Sequence, residues 1–284
     1  MPELPEVEVV ARALRPELCG ETIQRVEVRW ARSIAHPSPD TFVEALQGLA
    51  IRDVSRRAKF LVISAPPQTL LVHLCMTGRL LLCERQAQDA LIDRHVHVVF
   101  YLSSDRWLLY HDPRKFGRLY LYRDPEAVLG ALGPEPLSDE LTLPVFQKLL
   151  QRRRQIKPLL LDQHVLAGLG NIYADESLWR AQIHPCRRAS DLNVTEVTRL
   201  RDAIRMVLRQ AIAHNGTTFR DFRRPRNEAG EHQLVLAVYG RAGRPCRRCG
   251  ALIERTVVGG RGTHYCPICQ SKDDTLSREK GITQ

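Results

Sequence analysis

The chain has 284 residues, which is enough for two domains and a sizeable hydrophobic core. Its formal charge of +10 lies wholly in the second half: residues 1–150 hold 18 Lys and Arg against 19 Asp and Glu, whereas residues 151–284 hold 24 against 13. This asymmetry favours a polyanion-binding face, and the lack of a membrane-length apolar run or a charged leader favours a cytoplasmic, nucleoid-associated protein over a membrane protein.

The sequence begins with MPELPEVE, which offers an unusual nucleophile. Removal of Met1 would leave Pro2 as a free secondary amine with the carboxylate of Glu3 beside it. An α-amino group has a reference pKa of about 7.7–8, against about 10.4 for lysine, so it is nucleophilic near neutral pH without a special environment. The alternative is that Pro2 and Pro5 only stiffen the chain before a helix, as proline commonly does in a first turn.

The first half is predicted to hold one helix and then short strands. Apolar residues at helical spacing predict a helix over residues 5–18. Turn residues separate most of the β-rich runs that follow, so we expect an antiparallel sandwich, as a catalytic domain over residues 1–132. The predicted strands are Thr22–Trp30, Lys59–Ser64, Thr69–Leu74, Arg79–Cys83, His95–Leu102, Arg106–His111 and Arg118–Tyr122.

The second half changes to a helical period after a Pro- and Gly-containing break at Leu132–Ser138. The whole chain is therefore predicted to be a multidomain α+β protein. After the first domain, the predicted segments are a linker at 133–143, a helical domain at 144–233 with a long helix at Thr195–Ala213 and an Arg-rich loop at Thr217–Gln233, a cysteine-rich domain at 234–270 with a strand at Leu234–Tyr239, and a flexible polar tail at 271–284.

The eight cysteines divide into two groups. Cys19, Cys75, Cys83 and Cys186 are scattered singly, which is typical of reduced thiols. Two C-x-x-C pairs, formed by Cys246, Cys249, Cys266 and Cys269, have the spacing of a four-thiolate site for one structural Zn²⁺. A zinc-bound β-hairpin between the two pairs would present Arg261 at its tip, although a simple exposed arginine is the alternative.

Four further features suggest contacts with nucleic acid, and each has an ordinary alternative. Gly168-Leu169-Gly170 before Asn171 would form an anion site at a helix N-terminus, or only connect two helices. Lys59 would contact phosphate, or belong to a solvated basic cluster. Met76 and the turn that carries Arg114 and Phe116 would fill the space of an extruded base, or Met76 and Phe116 would pack in the core.

These residues together resemble the formamidopyrimidine-DNA glycosylase family, within the wider Fpg/Nei superfamily. The similar segments run in order from Pro2 to Gln270 and are PELPEVE, RRAKF, HLCMTG, DPRKFG, LGPEPLS, LLLDQ, GLGNIYADE, GTTFRDF, VYGRAGRPC and RGTHYCPICQ. The chain differs from the usual family pattern at Ala58 and Phe60 around Lys59, at Cys75 before Met76, and at Glu231-His232.

The resemblance implies a role for each of these residues. Pro2 would be the nucleophile, Glu3 the acid and base, and Glu6 a supporting carboxylate. Lys59 and Arg261 would assist catalysis, the loop Thr217–Gln233 would cover the damaged base, and the helical domain would contain a helix-two-turns-helix motif. The implied DNA-binding residues are His95, Arg114, Asn171 and Arg261, and the implied void-filling residues are Met76, Arg114 and Phe116.

We therefore expect a monomeric, bifunctional DNA glycosylase and abasic-site lyase of base excision repair, acting on oxidised purines in double-stranded DNA. A Nei-type enzyme for oxidised pyrimidines is one alternative, which Leu4 and the GTTFRDF segment disfavour. A zinc-ribbon protein that binds DNA without catalysis is another. The intact Pro2, Glu3 and Lys59 disfavour it, because a binding module has no need of a free N-terminal amine.

Overall fold

The computed structural model describes residues 2–84, 93–219 and 222–272 of the chain. The chain divides into two compact units, one of Met1–Ala131 with Ala211–Gln233 and the other of Leu132–Gln210 with Leu234–Gln284. Residues 211–233 thus return to the N-terminal unit, and the predicted tail lies, from residue 273 onward, outside the described residues. Within the described ranges, no helix combines the length and apolar character needed to cross a bilayer.

The N-terminal unit is a β-sandwich behind a leading helix. The helix α1 (Leu4–Leu18) confirms the predicted one, and the short helices α2 and α3 were not predicted. The elements in chain order are β1 (Ile23–Val28), β2 (Ile34–His36), α2 (Pro39–Leu46), β3 (Asp53–Arg57), β4 (Phe60–Ala65), β5 (Gln68–His73), β6 (Arg79–Cys83), β7 (Val96–Leu102), β8 (Trp107–His111), β9 (Arg118–Tyr122) and α3 (Glu126–Leu129).

The strands form two sheets, in the orders β1-β7-β8-β6 and β2-β9-β5-β4-β3. All seven predicted strands are present, while β2 and β3 were missed. Pairing is antiparallel except between β2 and β9, which run parallel. Val7 and Leu14 of α1 share one buried cluster with Val72 from one sheet and Phe100 from the other, and this core holds the start of α1 in place.

The second unit is mainly helical, and its two described strands form a hairpin. Residues 132–142 hold neither helix nor strand, in agreement with the predicted break. The elements that follow are α4 (Leu143–Leu150), α5 (Ile156–Leu160), α6 (Asn171–Arg180), the long helix α7 (Val194–Ala213), which ends in the first unit, and the antiparallel strands β10 (Glu254–Val258) and β11 (Arg261–Tyr265).

The strand predicted at Leu234–Tyr239 is wrong. A short 3₁₀ turn at His232–Leu234 leads instead into irregular backbone. The N–H groups of Ala237, Val238 and Tyr239 all donate to the carboxylate of Glu176, at 2.8, 2.9 and 2.8 Å. A single buried carboxylate thus satisfies three successive donors, which a strand would have directed alternately to its two sides.

Candidate active site and zinc centre

The chain before α1 is held by two buried glutamates. Glu3 is the N-cap of α1 and forms a reciprocal capping box with Glu6, in which Glu3 N donates to Glu6 Oε2 at 2.8 Å. Glu3 and Glu6 are only 2% and 1% exposed. Pro2 is also buried. The residue that follows it, Glu3, has a backbone fixed by the capping box and carries a carboxylate.

Glu6 also binds the start of the Arg-rich loop. Its Oε1 atom accepts a hydrogen bond from Thr217 N at 2.8 Å. Gly216 has a φ of +79°, and a Cβ there would lie 3.2 Å from Glu6 Cγ, so the close approach favours glycine. Glu6 thus joins the N-terminal residues to the Thr217–Gln233 loop, a contact between distant segments that no local pattern indicates.

The two ends of that loop are paired in a neck, formed by residues 214–218 and 230–233. Glu231 N donates to His214 O at 2.9 Å and His232 N to Gly216 O at 3.0 Å. A Cβ on Gly230 would lie 2.3 Å from Gly216 O, so the two segments are in direct contact. Burial, and then His214, lower the pKa of His232 to about 4, so its imidazole is neutral at pH 7.

Lys59 lies in the two-residue turn between β3 and β4, one residue before β4 begins. Its preceding residue, Ala58, has a φ of +53°. Lys59 is 8% exposed, which disfavours the solvated-cluster alternative. Burial, and then the charge of Lys59, lower the pKa of His73 to about 4. The positive charge of this buried lysine therefore disfavours protonation of the neighbouring His73.

The proposed void-filling side chains point outward. Met76 and Phe116 are 39% and 46% exposed, which contradicts the core-packing alternative. Arg114 is exposed as well, and its guanidinium lies 4.7 Å from the centre of the Phe116 ring. Large apolar residues seldom stay exposed together with an arginine unless they meet a partner, and these belong to two loops at strand ends.

Asp112, which is fully buried, joins those two loops, and sequence reasoning missed its role. Its Oδ1 atom accepts hydrogen bonds from Thr77 Oγ1 and, at 3.3 Å, from Arg114 N. Its Oδ2 atom accepts from Gly117 N at 2.8 Å and Tyr110 OH at 3.2 Å. The Asp-Pro…Gly spacing was the available signal, since aspartate commonly binds backbone N–H groups in turns.

His95 lies just before β7, which is in the same sheet as β6 and β8. Its backbone N donates to Asp93 Oδ1 at 2.8 Å, and its ring meets the His111 ring edge-on with centres 5.8 Å apart. The residue is half-buried, which leaves it accessible at the surface of the unit. Asp112 N donates to His95 O at 2.9 Å, so the backbone of His95 is tied to the same aspartate that joins the two loops.

In the second unit, Asn171 is the first residue of α6, directly after Gly170. Its Nδ2 atom donates to Gly262 O at 2.9 Å, and its buried Oδ1 has no hydrogen-bond partner among the residues that the structure describes. Gly262 follows Arg261, which is exposed, opens β11 and pairs with Val258 across the Gly259-Gly260 turn. The structure therefore brings Asn171 and Arg261 together within one unit, which their spacing in the sequence does not indicate.

A buried ion pair supports the same hairpin. Lys157 Nζ lies 2.6 Å from Asp175 Oδ1, and both side chains are fully buried. Lys157 Nζ also donates to Gly262 O at 3.0 Å and Thr263 Oγ1 at 2.7 Å, while His264 N donates to Asp175 Oδ2 at 2.8 Å. Sequence reasoning missed this pair, because a lysine and an aspartate 18 residues apart give no periodic signal.

The four paired cysteines converge at the base of the hairpin. The Sγ atoms of Cys246, Cys249, Cys266 and Cys269 all lie within 4.8 Å of one another. Trp179 Nε1 donates to Cys246 Sγ, and Cys269 N donates to Cys266 Sγ, both at 3.4 Å. Donors aimed at sulfur stabilise thiolates, so this donor set fits one structural Zn²⁺ with a closed coordination shell.

Three family models match the chain. They are the formamidopyrimidine-DNA glycosylase N-terminal domain at residues 1–119, the formamidopyrimidine-DNA glycosylase H2TH domain at residues 132–223, and a zinc finger found in FPG and IleRS at residues 243–272. The fold and these domains define the class of the protein as a DNA glycosylase with a helix-two-turns-helix domain and a structural zinc finger.

Individual relatives agree over nearly the full length. A formamidopyrimidine-DNA glycosylase of Herpetosiphon aurantiacus is 50% identical over 95% of this chain and 100% of its own. The MutM (Fpg) structure from Thermus thermophilus is 41% identical with a TM-score of 0.85, covering 96% of this chain and 100% of its own. A Lactococcus lactis Fpg variant in complex with Fapy-dG-containing DNA is 36% identical with a TM-score of 0.89, covering 95% and 100%. The chain belongs to the formamidopyrimidine-DNA glycosylase family.

Proposed function

We propose that this chain is a bifunctional glycosylase and abasic-site lyase of base excision repair, which removes oxidised purines, 8-oxoguanine and formamidopyrimidines, from duplex DNA. The observation that carries the proposal is the buried pair of glutamates beside Pro2. One carboxylate stands on the residue next to the nucleophile, and the other fixes that residue through Glu3 N. Burial of two carboxylates is costly, and a capping box alone can be built from a serine or threonine with one glutamate, so the second carboxylate supports a chemical role.

The reaction begins when the Pro2 amine, freed by removal of Met1, attacks C1′ of the damaged nucleotide. The bond from C1′ to the base breaks, and the leaving base takes up the proton that the Pro2 nitrogen gives up. Glu3 protonates the sugar oxygen as the ring opens. The product is an iminium ion between Pro2 and C1′. Since this cation withdraws electrons, a C2′ proton becomes acidic, and its loss expels the 3′ phosphate by β-elimination. A second, δ-elimination expels the 5′ phosphate and leaves a one-nucleotide gap.

The remaining site residues have supporting roles in this proposal. Lys59 binds phosphate and assists catalysis, since a buried ammonium stabilises the charge of the backbone near the reacting sugar. Met76, Arg114 and Phe116 occupy the space of the flipped nucleotide, with Arg114 facing the orphaned base. Asn171, Arg261 and His95 bind the DNA backbone, which places the basic second half on the polyanion and favours association with the nucleoid.

The zinc site has a structural role. A shell of four thiolates has no open position for substrate or water, so zinc would supply folding energy and no chemistry. Its contribution to function passes through the hairpin, which carries Arg261 between the two cysteine pairs. A Nei-type preference for pyrimidines is not favoured, because the family models and the full-length relatives are formamidopyrimidine-DNA glycosylases.

Borohydride trapping tests the proposal. Borohydride reduces an iminium to a stable amine, so the wild-type protein should become covalently attached to duplexes that contain 8-oxoguanine or an abasic site. Pro2→Gly should lose most trapping and strand cleavage. An uncleavable extension before Pro2 should abolish both, whereas the same extension placed after Gln284 is the matched control and should abolish neither.

Equal trapping by the N-terminally blocked protein would refute Pro2 as the nucleophile. Wild-type protein that binds the lesion duplexes and neither traps nor cuts would favour the non-catalytic alternative. Cleavage confined to oxidised pyrimidines would favour the Nei-type alternative.

A further inference from the structure

The outer part of the Thr217–Gln233 loop is a preformed turn, here called the docking turn and defined as residues Arg224–Glu228. Arg224 N donates to Glu228 O, and Asn227 N to Arg224 O, both at 2.8 Å. Arg224 and Glu228 also form an ion pair at 2.7 Å. Asn227 has a φ of +63°, a conformation that asparagine tolerates better than most residues. The turn therefore has a conformation of its own.

The docking turn is attached to the sandwich at two points. Leu82 N, on the edge strand β6, donates to Pro225 O at 3.1 Å. The outer N–H groups of an edge strand have no partner strand, so the turn supplies an acceptor for one of them. Arg226 Nη2 lies 2.6 Å from Glu17 Oε1 near the end of α1. Both contacts lie within the N-terminal unit.

The Glu17 carboxylate is itself held in place. Its Oε2 atom lies 2.6 Å from Arg106 Nη1, and Arg106 Nη2 lies 2.9 Å from Glu21. Hydrogen bonds from Arg106 and then Arg226 lower the pKa of Glu17, so it is ionised at neutral pH. Arg226 thus meets a carboxylate that Arg106 also binds and holds in place.

Between the neck and the docking turn, the residues that the structure describes include one buried and one exposed phenylalanine. Phe222 is 7% exposed and packs in the sandwich core, whereas Phe219 is 56% exposed. The loop is bound at Thr217 through Glu6 and at Arg226 through Glu17. Displacement of the turn would therefore move Phe222 and Arg223, which directly precede it, while Glu3 and Glu6 keep their hydrogen bond to each other.

We propose that Arg226 is a positioning residue for excision of the damaged base, acting through Glu17 to hold the covering loop. The inference rests on the proposed function and deepens it. An abasic site has no base to cover, so its processing requires Pro2 and Glu3 and leaves the loop unused. Loss of the Arg226–Glu17 pair should therefore separate base excision from lyase activity.

The test is single-turnover kinetics on two duplexes, one containing 8-oxoguanine and one containing a ready-made abasic site. Arg226→Ala should slow base excision about two- to five-fold, the range that an exposed ion pair provides, and leave abasic-site cleavage at the wild-type rate. Arg226→Lys should restore most of the rate. In a Glu17→Gln background, Arg226→Ala should cost nothing further, because the pair is already broken.

Arg12→Ala is the matched control. Arg12 is also a mostly exposed arginine paired with a glutamate of α1, Glu8, at 2.6 Å, and this pair involves no residue of the loop. It should leave both rates unchanged. Arg226→Ala that slows both substrates equally and flattens the salt dependence of DNA binding would overturn the proposal, since Arg226 would then contact phosphate directly.

Unchanged rates on both substrates would overturn it as well. Wild-type protein that is inactive on both duplexes would refute the proposed function and this inference with it. Wild-type activity with no selective loss in Arg226→Ala would refute this inference alone.

Discussion

The β-sandwich unit holds its site residues against an apolar core, whereas the helical unit holds its hairpin with buried polar groups and metal ligands. Val7 and Leu14 of α1 are fully buried in a cluster drawn from both sheets. The apolar cluster near the hairpin is small, with Val238, Ile253 and two cysteines as its buried members. Where many weak apolar contacts share the stability, removal of one lowers the free energy of unfolding only a little. Where a few strong polar contacts provide it, removal of one lowers it greatly.

The hairpin has few other means of stability. Val258 is the buried residue of β10, and Thr263 that of β11. Two strands with so little apolar surface are marginal in water by themselves. The Lys157–Asp175 pair and the zinc site therefore determine whether Arg261 is presented at all. The following predictions test this contrast between the units, from the largest expected effect to the smallest.

Removal of zinc should affect the two units very differently. Structural zinc contributes about 10–16 kcal/mol of apparent folding free energy in small zinc domains. Chelation, or Cys249→Ser, should therefore unfold β10 and β11 and abolish DNA binding, while α1 and the sandwich strands keep their amide protection. Hydrogen exchange measured by mass spectrometry would resolve both regions, alongside a metal assay that should give about one equivalent in the wild type.

Cys19→Ser is the control, since Cys19 is an exposed cysteine outside the zinc site. It should change neither metal content nor binding. Metal-free protein with a protected hairpin and unchanged affinity would contradict the contrast.

Breaking the buried ion pair should be the next largest effect. Lys157→Met leaves Asp175 as an uncompensated buried charge, which costs about 3–5 kcal/mol. Hairpin amides should exchange faster by a corresponding factor, and the sandwich should be unaffected. Lys148→Met, on the exposed side of α4, is the control. Lys157→Met combined with Asp175→Leu should recover part of the loss, because no unpaired charge remains; failure to recover would mean that the contacts to Gly262 and Thr263 dominate.

Low pH should destabilise the sandwich unit through the buried, neutral imidazole of His232. The pKa of His232 is about 4 in the folded protein, against about 6.5 in an unfolded chain. Because the unfolded state binds more protons below pH 6.5, stability should fall as the pH is lowered from about 6.5 to about 4, and be independent of this group above pH 7. His232→Phe should remove about 2–3 kcal/mol of that loss, measured by urea denaturation at pH 7.5 and pH 4.5. An unchanged pH dependence would show that His232 is not buried in solution.

The salt dependence of DNA binding should show the smallest effect. It should distinguish the two phosphate contacts proposed for the second unit, those of Arg261 and Asn171. Arg261→Ala removes one cation, so the slope of log affinity against log salt should flatten by about one. Asn171→Ala removes a neutral donor and should weaken binding to undamaged duplex with the slope nearly unchanged. A flattened slope in Asn171→Ala would mean that its contact with Gly262 positions Arg261. Affinity independent of salt in the wild type would contradict the polyanion-binding face.

The sequence alone determined the parts of this protein that depend on local pattern. The helical period predicted α1, and β6 and β9 have the predicted bounds. The two C-x-x-C pairs predicted the zinc site, since ligand type and spacing suffice to define it. The order of the family motifs was enough for the fold class, the family and the enzymatic activity. The roles of individual site residues remain proposals for the experiments above.

Only the tertiary structure decided the contacts between distant polar groups. Asp112 binds Thr77, 35 residues away, and Glu176 binds the N–H of Ala237, 61 residues away. Lys157 meets Asp175, and Glu6 meets Thr217, with equally little local signal. The sequence does not show which donor will compensate the burial of a carboxylate, because that donor is distant along the chain. The spacing of apolar residues, in contrast, indicates directly whether they belong to a helix or a strand. The strand prediction at Leu234–Tyr239 was wrong for this reason. Three of the backbone N–H groups of this segment donate to Glu176 of α6 and not to a neighbouring strand.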